Sequence, residues 1–206
     1  MESQRARMVA DQLRPNGIHD ELVLRALAEV PREEFVPPAA RRHAYDDRAL
    51  GIGWGQTISQ PLVVAAMTQA LQPGPDDTVL EVGTGSGYQA AVLARLARRV
   101  LTVEREPQLA ERAAATLKRL GFDNVEVAVA DGSLGWPPAA PYAGILVACA
   151  TPSVPQPLLD QLLDGGRLVI PVGHPAADHQ DLQVITRRGS QTLVRSLFPV
   201  RFVPLR

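Results

Sequence analysis

The 206-residue sequence holds a single cysteine, Cys149, which leaves it no intramolecular disulfide and no thiolate metal cluster and suits a reducing compartment. It also lacks a charge imbalance. Its 21 lysines and arginines against 22 aspartates and glutamates leave a net charge of -1, too little for a broad field that gathers nucleic acid or an anionic membrane. No apolar run approaches the roughly 18 to 20 residues of a membrane-crossing helix. Residues 1–14 are polar and charged, without the apolar centre of a signal peptide. There is no fixed-period repeat and no long linker. These absences predict a soluble, cytoplasmic monomer that has no nucleic-acid or membrane partner and selects its ligands by local site chemistry.

Hydrophobic residues at 46% and charged residues at 21% fall near the globular average, and the length suits one domain with a substantial core. Eighteen prolines gather around 37–38, 73–75, 137–141 and 152–157, between periodic segments, and punctuate loops. Residues 1–60 read as a helical preface. Met8, Val9 and Leu13, then Leu22, Val23, Leu24 and Leu27, recur at helical spacing, with Asn16-Gly17 breaking between them and His19-Asp20 offering a cap. Gly51-Ile52-Gly53-Trp54-Gly55 is too glycine-rich for a regular element and reads as a loop. A third helix is expected from Pro61 to about residue 71.

From residue 78 the pattern alternates. Strands are expected at 78–82, 100–103, 125–129, 145–148 and 167–172, with helices at 88–97, 107–120 and 157–163. Segments 182–186 and 193–202 close the chain as an antiparallel pair. Strands alternating with helices imply an α/β fold, a mostly parallel doubly wound sheet whose ligands bind beyond the carboxyl ends of its strands.

Acidic residues and glycines do gather at those ends. Glu81-Val82-Gly83-Thr84-Gly85-Ser86-Gly87 joins a strand to a helix through three alternating glycines, which admit positive φ and close approach by a ligand. A dinucleotide fingerprint places its third glycine three positions after the second, where this chain has Tyr88. Glu81, just before the first glycine, suits a cationic ligand and would repel a pyrophosphate. Glu104 ends the second strand, where a carboxylate can accept from two vicinal ribose hydroxyls, and Asp131-Gly132 ends the third, where Asp131 can accept from an adenine amino group or simply make a turn. A second constellation, Gly55-Gln56-Thr57-Ile58-Ser59-Gln60-Pro61, presents Thr57 and Ser59 as neutral donors, or else caps the next helix through Ser59 or Gln60.

Five weaker features have plain readings. His174, Asp178 and His179 lack metal-site register and read as solvated loop residues, so no metal is expected. Cys149 reads as a small core residue. Trp54 and Trp136 are expected to face the cleft, to shield a ligand or to pack under the preface. Arg41-Arg42-His43 reads as a solvated face, and Tyr45-Asp46-Asp47 as a support for the hydroxyl loop.

The hydroxyl loop, together with Val79-Leu80-Glu81-Val82-Gly83-Thr84-Gly85-Ser86-Gly87-Tyr88-Gln89-Ala90-Ala91, resembles the protein-L-isoaspartate O-methyltransferase family. Val30-Pro31-Arg32-Glu33, Asp131-Gly132-Ser133-Leu134-Gly135-Trp136, residues 166–173 and Arg201-Phe202-Val203-Pro204-Leu205 extend the resemblance over essentially the whole chain. It implies a Rossmann-like class I S-adenosylmethionine-dependent methyltransferase, one domain spanning 1–206, with a helical cap and substrate loop in 1–60 and the core in 61–206. The implied cofactor is S-adenosylmethionine, leaving as S-adenosylhomocysteine, and the implied partners are isoaspartyl-containing proteins and peptides. The methyl ester formed on the free carboxyl collapses to a succinimide, whose hydrolysis returns some normal aspartate.

The resemblance also implies roles. Ser59 is the catalytic hydroxyl that orients the substrate carboxylate, with Thr57 and Ile58 beside it; Glu81, Gly83, Thr84, Gly85, Ser86 and Gly87 line the cofactor, Glu104 its ribose, and Asp131 with Gly132 its adenine. Two departures stand out. Ala143 occupies a position where the family usually carries aspartate, with an expected effect on strand packing or the cofactor pocket, and the sequence stops at Arg206, so later contacts are expected to be missing. Alternative readings are a family offshoot that esterifies aspartate in a dedicated peptide, and a cofactor-binding homologue with weak or lost activity.

Overall fold

A computed structural model describes residues 1–174 and 177–205 of the chain. The preface opens with α1 (Glu2–Arg7), continued by a π-helical stretch Met8–Leu13 and a 3-10 turn Arg14–Asn16, and ends at Gly17 with φ 88°. The wider winding turns Met8 and Leu13, five residues apart, to the same buried side. In α2 (Glu21–Glu29) the four buried positions Val23, Leu24, Ala26 and Leu27 form one helical face. Asp20 starts it, its carboxylate accepting from the amides of Leu22 at 2.9 Å and Val23 at 3.3 Å.

The glycine-rich segment expected to be irregular is in fact regular. β1 (Leu50–Gly53) pairs antiparallel with β2 (Gln56–Ile58). Leu50 and Ile52 point inward while Gly51 and Gly53 are exposed, so two apolar residues suffice to fix the face and therefore the register. The hairpin delivers its last residue to Ser59, and α3 (Pro61–Leu71) then begins on its proline as the sequence predicts.

The core runs β3 (Thr78–Val82), α4 (Tyr88–Ala94), β4 (Arg99–Glu104), α5 (Pro107–Arg119), β5 (Val125–Val129), β6 (Tyr142–Val147), α6 (Gln156–Asp160), β7 (Leu162–Val172), β8 (Gln180–Arg188) and β9 (Gln191–Val200). These strands form one sheet in the order β5-β4-β3-β6-β7-β8-β9, parallel from β5 to β7, with β8 antiparallel to both β7 and β9. The expected doubly wound parallel sheet and its antiparallel close are therefore both present. α4 and α6 are shorter than expected, and β7 begins five residues earlier than 167. Its register against β6 slips between Tyr142↔Leu162 and Gly144↔Arg167, so Gly165-Gly166 is a bulge within the strand rather than a break before it.

Residues alternate across the sheet. Val79, Val100, Leu146 and Val169 meet Met67, Leu71, Ala90 and Leu93 of α3 and α4, whereas Leu80, Leu101, Ile145 and Leu168 meet Leu158 on the opposite face. No helix among the described residues is long and apolar enough to cross a membrane. Replacing Asp20 by Ala removes the α2 cap and is expected to cost about 1 kcal/mol, a fall of roughly 2–4 °C in thermal midpoint for a domain of this size. Calorimetry checks this; an unchanged midpoint would show that the preface does not unfold with the core.

Candidate active site

The strand order reverses at β3: the chain steps outward through β4 to β5, then returns to pair β6 on the other side of β3. A cavity of about 380 Å³ opens at that reversal, beyond the carboxyl ends of β3, β4 and β6, and is roofed by the β1–β2 hairpin. It brings together Thr57, Ile58, Ser59, Glu81, Gly83, Thr84, Gly85, Ser86, Glu104 and Gly132, ten of the twelve residues singled out from the sequence. Gly87 and Asp131 are not in the wall. Gly87, at φ 86°, lies behind the turn, where a Cβ would come within 3.3 Å of Ala113 and Leu117, so it permits α5 to pack rather than a ligand to approach. Asp131 is exposed, and its Oδ1 accepts from the Ser133 amide and hydroxyl, holding the turn that carries Gly132. Those two bonds hold the Asp131 carboxyl below its ordinary pKa. Gly132 is required by space: a Cβ there would sit 2.4 Å from Val82 Cγ1.

The backbone amides of the glycine turn are largely committed within the protein. Gly83 and Thr84 donate to the Val103 carbonyl, Gly85 to Glu104 Oε2, Gly87 to the Thr84 carbonyl and Tyr88 to Ser86 Oγ. The open nest of amides that would cradle a pyrophosphate is absent from this turn. Glu104 also accepts from the Glu106 amide through its other oxygen, at 3.0 Å. Its carboxylate is thus locked at the cavity edge with lone pairs to spare for hydroxyl donors.

Glu81 is fully buried. The β3–β4 register sets it opposite Thr102, whose hydroxyl donates to Glu81 Oε2 at 2.5 Å; Thr84 Oγ1 lies 2.7 Å from the same hydroxyl. Glu81 Oε1 is buried with no hydrogen-bond partner among the described residues. Desolvation pushes the Glu81 pKa up to about 8, against a lowering effect from Thr102 and a raising one from Glu104. A buried acceptor on a cavity wall, half satisfied and short of a cation, fits a ligand that brings positive charge or an ammonium donor.

The hydroxyl loop is held from beneath by a buried cation. Arg32 Nε donates to the Ala44 carbonyl and Nη2 to the Ser59 carbonyl, both at 2.7 Å, and its guanidinium lies 4.8 Å from the Tyr88 ring centroid. It has no carboxylate within ion-pairing distance among the described residues, and burial lowers its pKa. The loop does not cap α3 through its own side chains: neither Ser59 nor Gln60 bonds the helix start. Asp47 takes that part, accepting from the Leu62 amide at 3.4 Å and from Gln60 Nε2 at 2.8 Å, while Tyr45 donates to Glu33. This supplies the support expected of Tyr45-Asp46-Asp47. The Ser59 hydroxyl itself makes no bond among the described residues and lies in the cavity wall.

The wall also holds residues beyond those twelve. Trp54, 46% exposed, lines the cavity as expected and is pinned by its Nε1 donating to Gln108 at 2.7 Å and by the Arg112 guanidinium 5.0 Å from its ring. Trp136 does not face the cleft; it packs against the apolar cluster around Tyr142 and Leu158. Val203, Pro204 and Leu205 close one side, tied down by reciprocal backbone bonds between Ala150 and Val203 and Leu205. Only the tertiary fold brings this terminal strip beside β6. Cys149 is buried as expected but also reaches the wall, and burial raises its pKa to about 12, which leaves it an unreactive thiol. Ala143 lies on β6 away from the end that meets the cavity and is not in its wall, so the departure there does not touch the site.

Comparison with known proteins agrees with this geometry. The model of the protein-L-isoaspartate(D-aspartate) O-methyltransferase family matches residues 4–206. A protein-L-isoaspartate O-methyltransferase of Methanoregula boonei is 54% identical over 202 residues, covering 98% of this chain and 92% of its own. One of Herpetosiphon aurantiacus is 52% identical over 206 residues, covering 99% and 90%. A solved protein-L-isoaspartate O-methyltransferase superposes with a TM-score of 0.87 at 29% identity over 97% of this chain, which spans 65% of that longer one. A Plasmodium falciparum structure, described as such an enzyme in complex with S-adenosyl-L-homocysteine, superposes at 0.84 with 24% identity and speaks to the fold.

Two outcomes are expected at this site. Because the folded-state pKa of Glu81 lies above its ordinary 4.5, its contribution to stability is complete below pH 4.5, declines as pH rises and is gone above about 8. Denaturant unfolding of the ligand-free chain at pH 5, 6.5 and 8 will show this slope, and Glu81→Gln will remove it; equal slopes in both proteins would refute the assignment. Arg32→Met leaves the Ala44 and Ser59 carbonyls unpaired and is expected to cost about 2 kcal/mol in the same assay.

Proposed function

The chain belongs to the protein-L-isoaspartate O-methyltransferase family, and from that premise we propose how its residues divide the work of the reaction. It is an S-adenosylmethionine-dependent carboxyl methyltransferase acting on L-isoaspartyl residues of damaged proteins. When bound, S-adenosylmethionine supplies a methyl group made transferable by a cationic sulfur. One observation carries the cofactor side: the buried, unpartnered Glu81 Oε1 beside a turn whose amides are largely satisfied. In this reading Glu81 holds a cationic end of the cofactor, Glu104 accepts from the ribose hydroxyls, and Gly83, Thr84, Gly85 and Ser86 form the floor. Gly132 gives room at the adenine, with Asp131 acting through the turn it caps and Gly87 through helix packing.

The acceptor side falls to the loop of the preface. Ser59 orients the substrate carboxylate with its unbonded hydroxyl, Thr57 stands beside it, and Ile58, buried and paired with Leu50, fixes the register of both. A carboxylate with a pKa near ~4 is ionised at neutral pH, so no general base is needed. What remains for the protein is alignment and partial removal of water. A neutral donor suits that task, because it orients the carboxylate without neutralising its charge. Residues 1–60 thus serve the acceptor and 61–206 chiefly the cofactor, within one domain. The lone buried Cys149 supports a reducing, cytoplasmic setting.

An offshoot acting on aspartate in a dedicated peptide, or an inactive homologue, would differ in one assay. Methyl transfer to a synthetic isoaspartyl peptide, with little or none to its aspartyl twin, is the expected result; no transfer to the isoaspartyl form would end this reading. Ser59→Ala is expected to lower kcat/KM for that peptide by roughly tenfold to a hundredfold, the loss of one hydrogen bond to a charged group. Affinity for S-adenosylhomocysteine should stay within about twofold, and its collapse would move Ser59 to the cofactor side.

A further inference from the structure

Gln89, the second residue of α4, presents its side chain to the cavity and is otherwise 8% exposed. Its amide is oriented by a hydrogen-bond chain with no freedom at the far end. Thr68 Oγ1 donates to the Val64 carbonyl at 2.8 Å, and a carbonyl can only accept, so the single Thr68 proton is committed. Thr68 Oγ1 must therefore accept from Gln89 Nε2, 2.9 Å away. With its nitrogen fixed there, Gln89 holds Oε1 as an acceptor, and that oxygen makes no hydrogen bond among the described residues and is not sealed among the buried unpartnered atoms. Val64, also in the wall, lies in the first turn of α3 directly after the Ser59 loop. Gln89 is thus tied to α3, the helix that follows the Ser59 loop and carries Val64 into the same wall.

We propose that Gln89 is a specificity-determining residue of the acceptor site, its Oε1 accepting from the isoaspartyl residue's own peptide N–H while Ser59 donates to the carboxylate. The inference rests on the methyltransferase reading above and deepens it. In an isoaspartyl residue the free carboxylate and the N–H share one carbon, Cα. In a normal aspartyl residue the free carboxylate hangs from Cβ, one bond further from that nitrogen. A donor on the loop that Arg32 pins and an acceptor on α4 read this difference in spacing, which charge alone cannot do, since both residues carry one carboxylate.

The test pairs a variant with a substrate change. Gln89→Met keeps the length and removes the acceptor; an isoaspartyl peptide whose isoaspartyl nitrogen is replaced by an ester oxygen removes the donor with little change of shape. Each change alone is expected to raise KM by about fivefold to tenfold with kcat less affected, the two together are expected to cost no more than either, and S-adenosylhomocysteine affinity is expected to be unchanged. Multiplicative losses would overturn the proposal, as would a weakened S-adenosylhomocysteine affinity with peptide constants unmoved, which would give the acceptor to the cofactor. If the variant does not fold, the ester peptide on the wild-type protein decides alone: no loss refutes the pairing. Failure of the wild-type protein to methylate any isoaspartyl peptide would instead remove the underlying reading, and does so before Gln89 is touched.

Discussion

β3 is paired in parallel with β4 on one side and β6 on the other, and the chemistry at the carboxyl edge depends on that double pairing. Helices leaving β3 and β6 diverge to opposite faces of the sheet, so the edge between them is left uncovered and a cavity forms without any side chain having to make way. The β3–β4 register then sets Glu81 opposite Thr102 and extends β4 far enough for Glu104 to reach back to the Gly85 amide at 2.9 Å. One register thus determines both the buried carboxylate and the shape of the glycine turn. A slip of one residue would turn Glu81 to the other face, among Leu101 and Ile145.

A second dependence runs from preface to core through Arg32. Its two carbonyl partners come from Ala44 and from Ser59, on either side of the hairpin, and its face lies on Tyr88 of α4. A buried guanidinium without a carboxylate is costly, and hydrogen bonds to carbonyls together with an aromatic face recover part of that cost. Lysine, a point charge with no fork and no flat face, could not serve two separated carbonyls and a ring at once. The loop that carries Ser59 is thereby tied to the element that follows the glycine turn.

The sequence made the core legible because its periodicities are unmixed. Val79-Leu80 and Val100-Leu101 alternate between two buried faces, Pro61 and Asp20 mark helix starts by mechanisms that act locally, and the acidic strand ends follow from the fold rule. What stayed hidden depends on tertiary context. Two inward apolar residues were enough to make Gly51 to Gly55 a hairpin, against the local preference of glycine. Gly87 and Asp131 belong to the motif but face away, because a motif specifies a turn and not which of its atoms meets the ligand. Trp136 turns away from the cleft it was expected to face, and only long-range pairing with Ala150 brings the strip Val203-Pro204-Leu205 to the wall.

The polar groups of the cavity also sort by kind, and this bears on why so little catalytic machinery is present. Carboxylates, Glu81 and Glu104, lie at the ends of β3 and β4, whereas the hydroxyl loop and α4 offer the hydroxyls of Thr57 and Ser59 and the amides of Gln56 and Gln89. Opposite formal charges on the two reactants attract, and a salt bridge to the acceptor carboxylate would have to be broken as its charge is lost. Arg32 approaches that side yet is turned to the Ser59 carbonyl, so its guanidinium stiffens the loop without pairing the substrate. A wall of neutral donors and acceptors leaves the carboxylate its nucleophilic charge and lets the fit of one N–H and one carboxylate decide which residue is methylated.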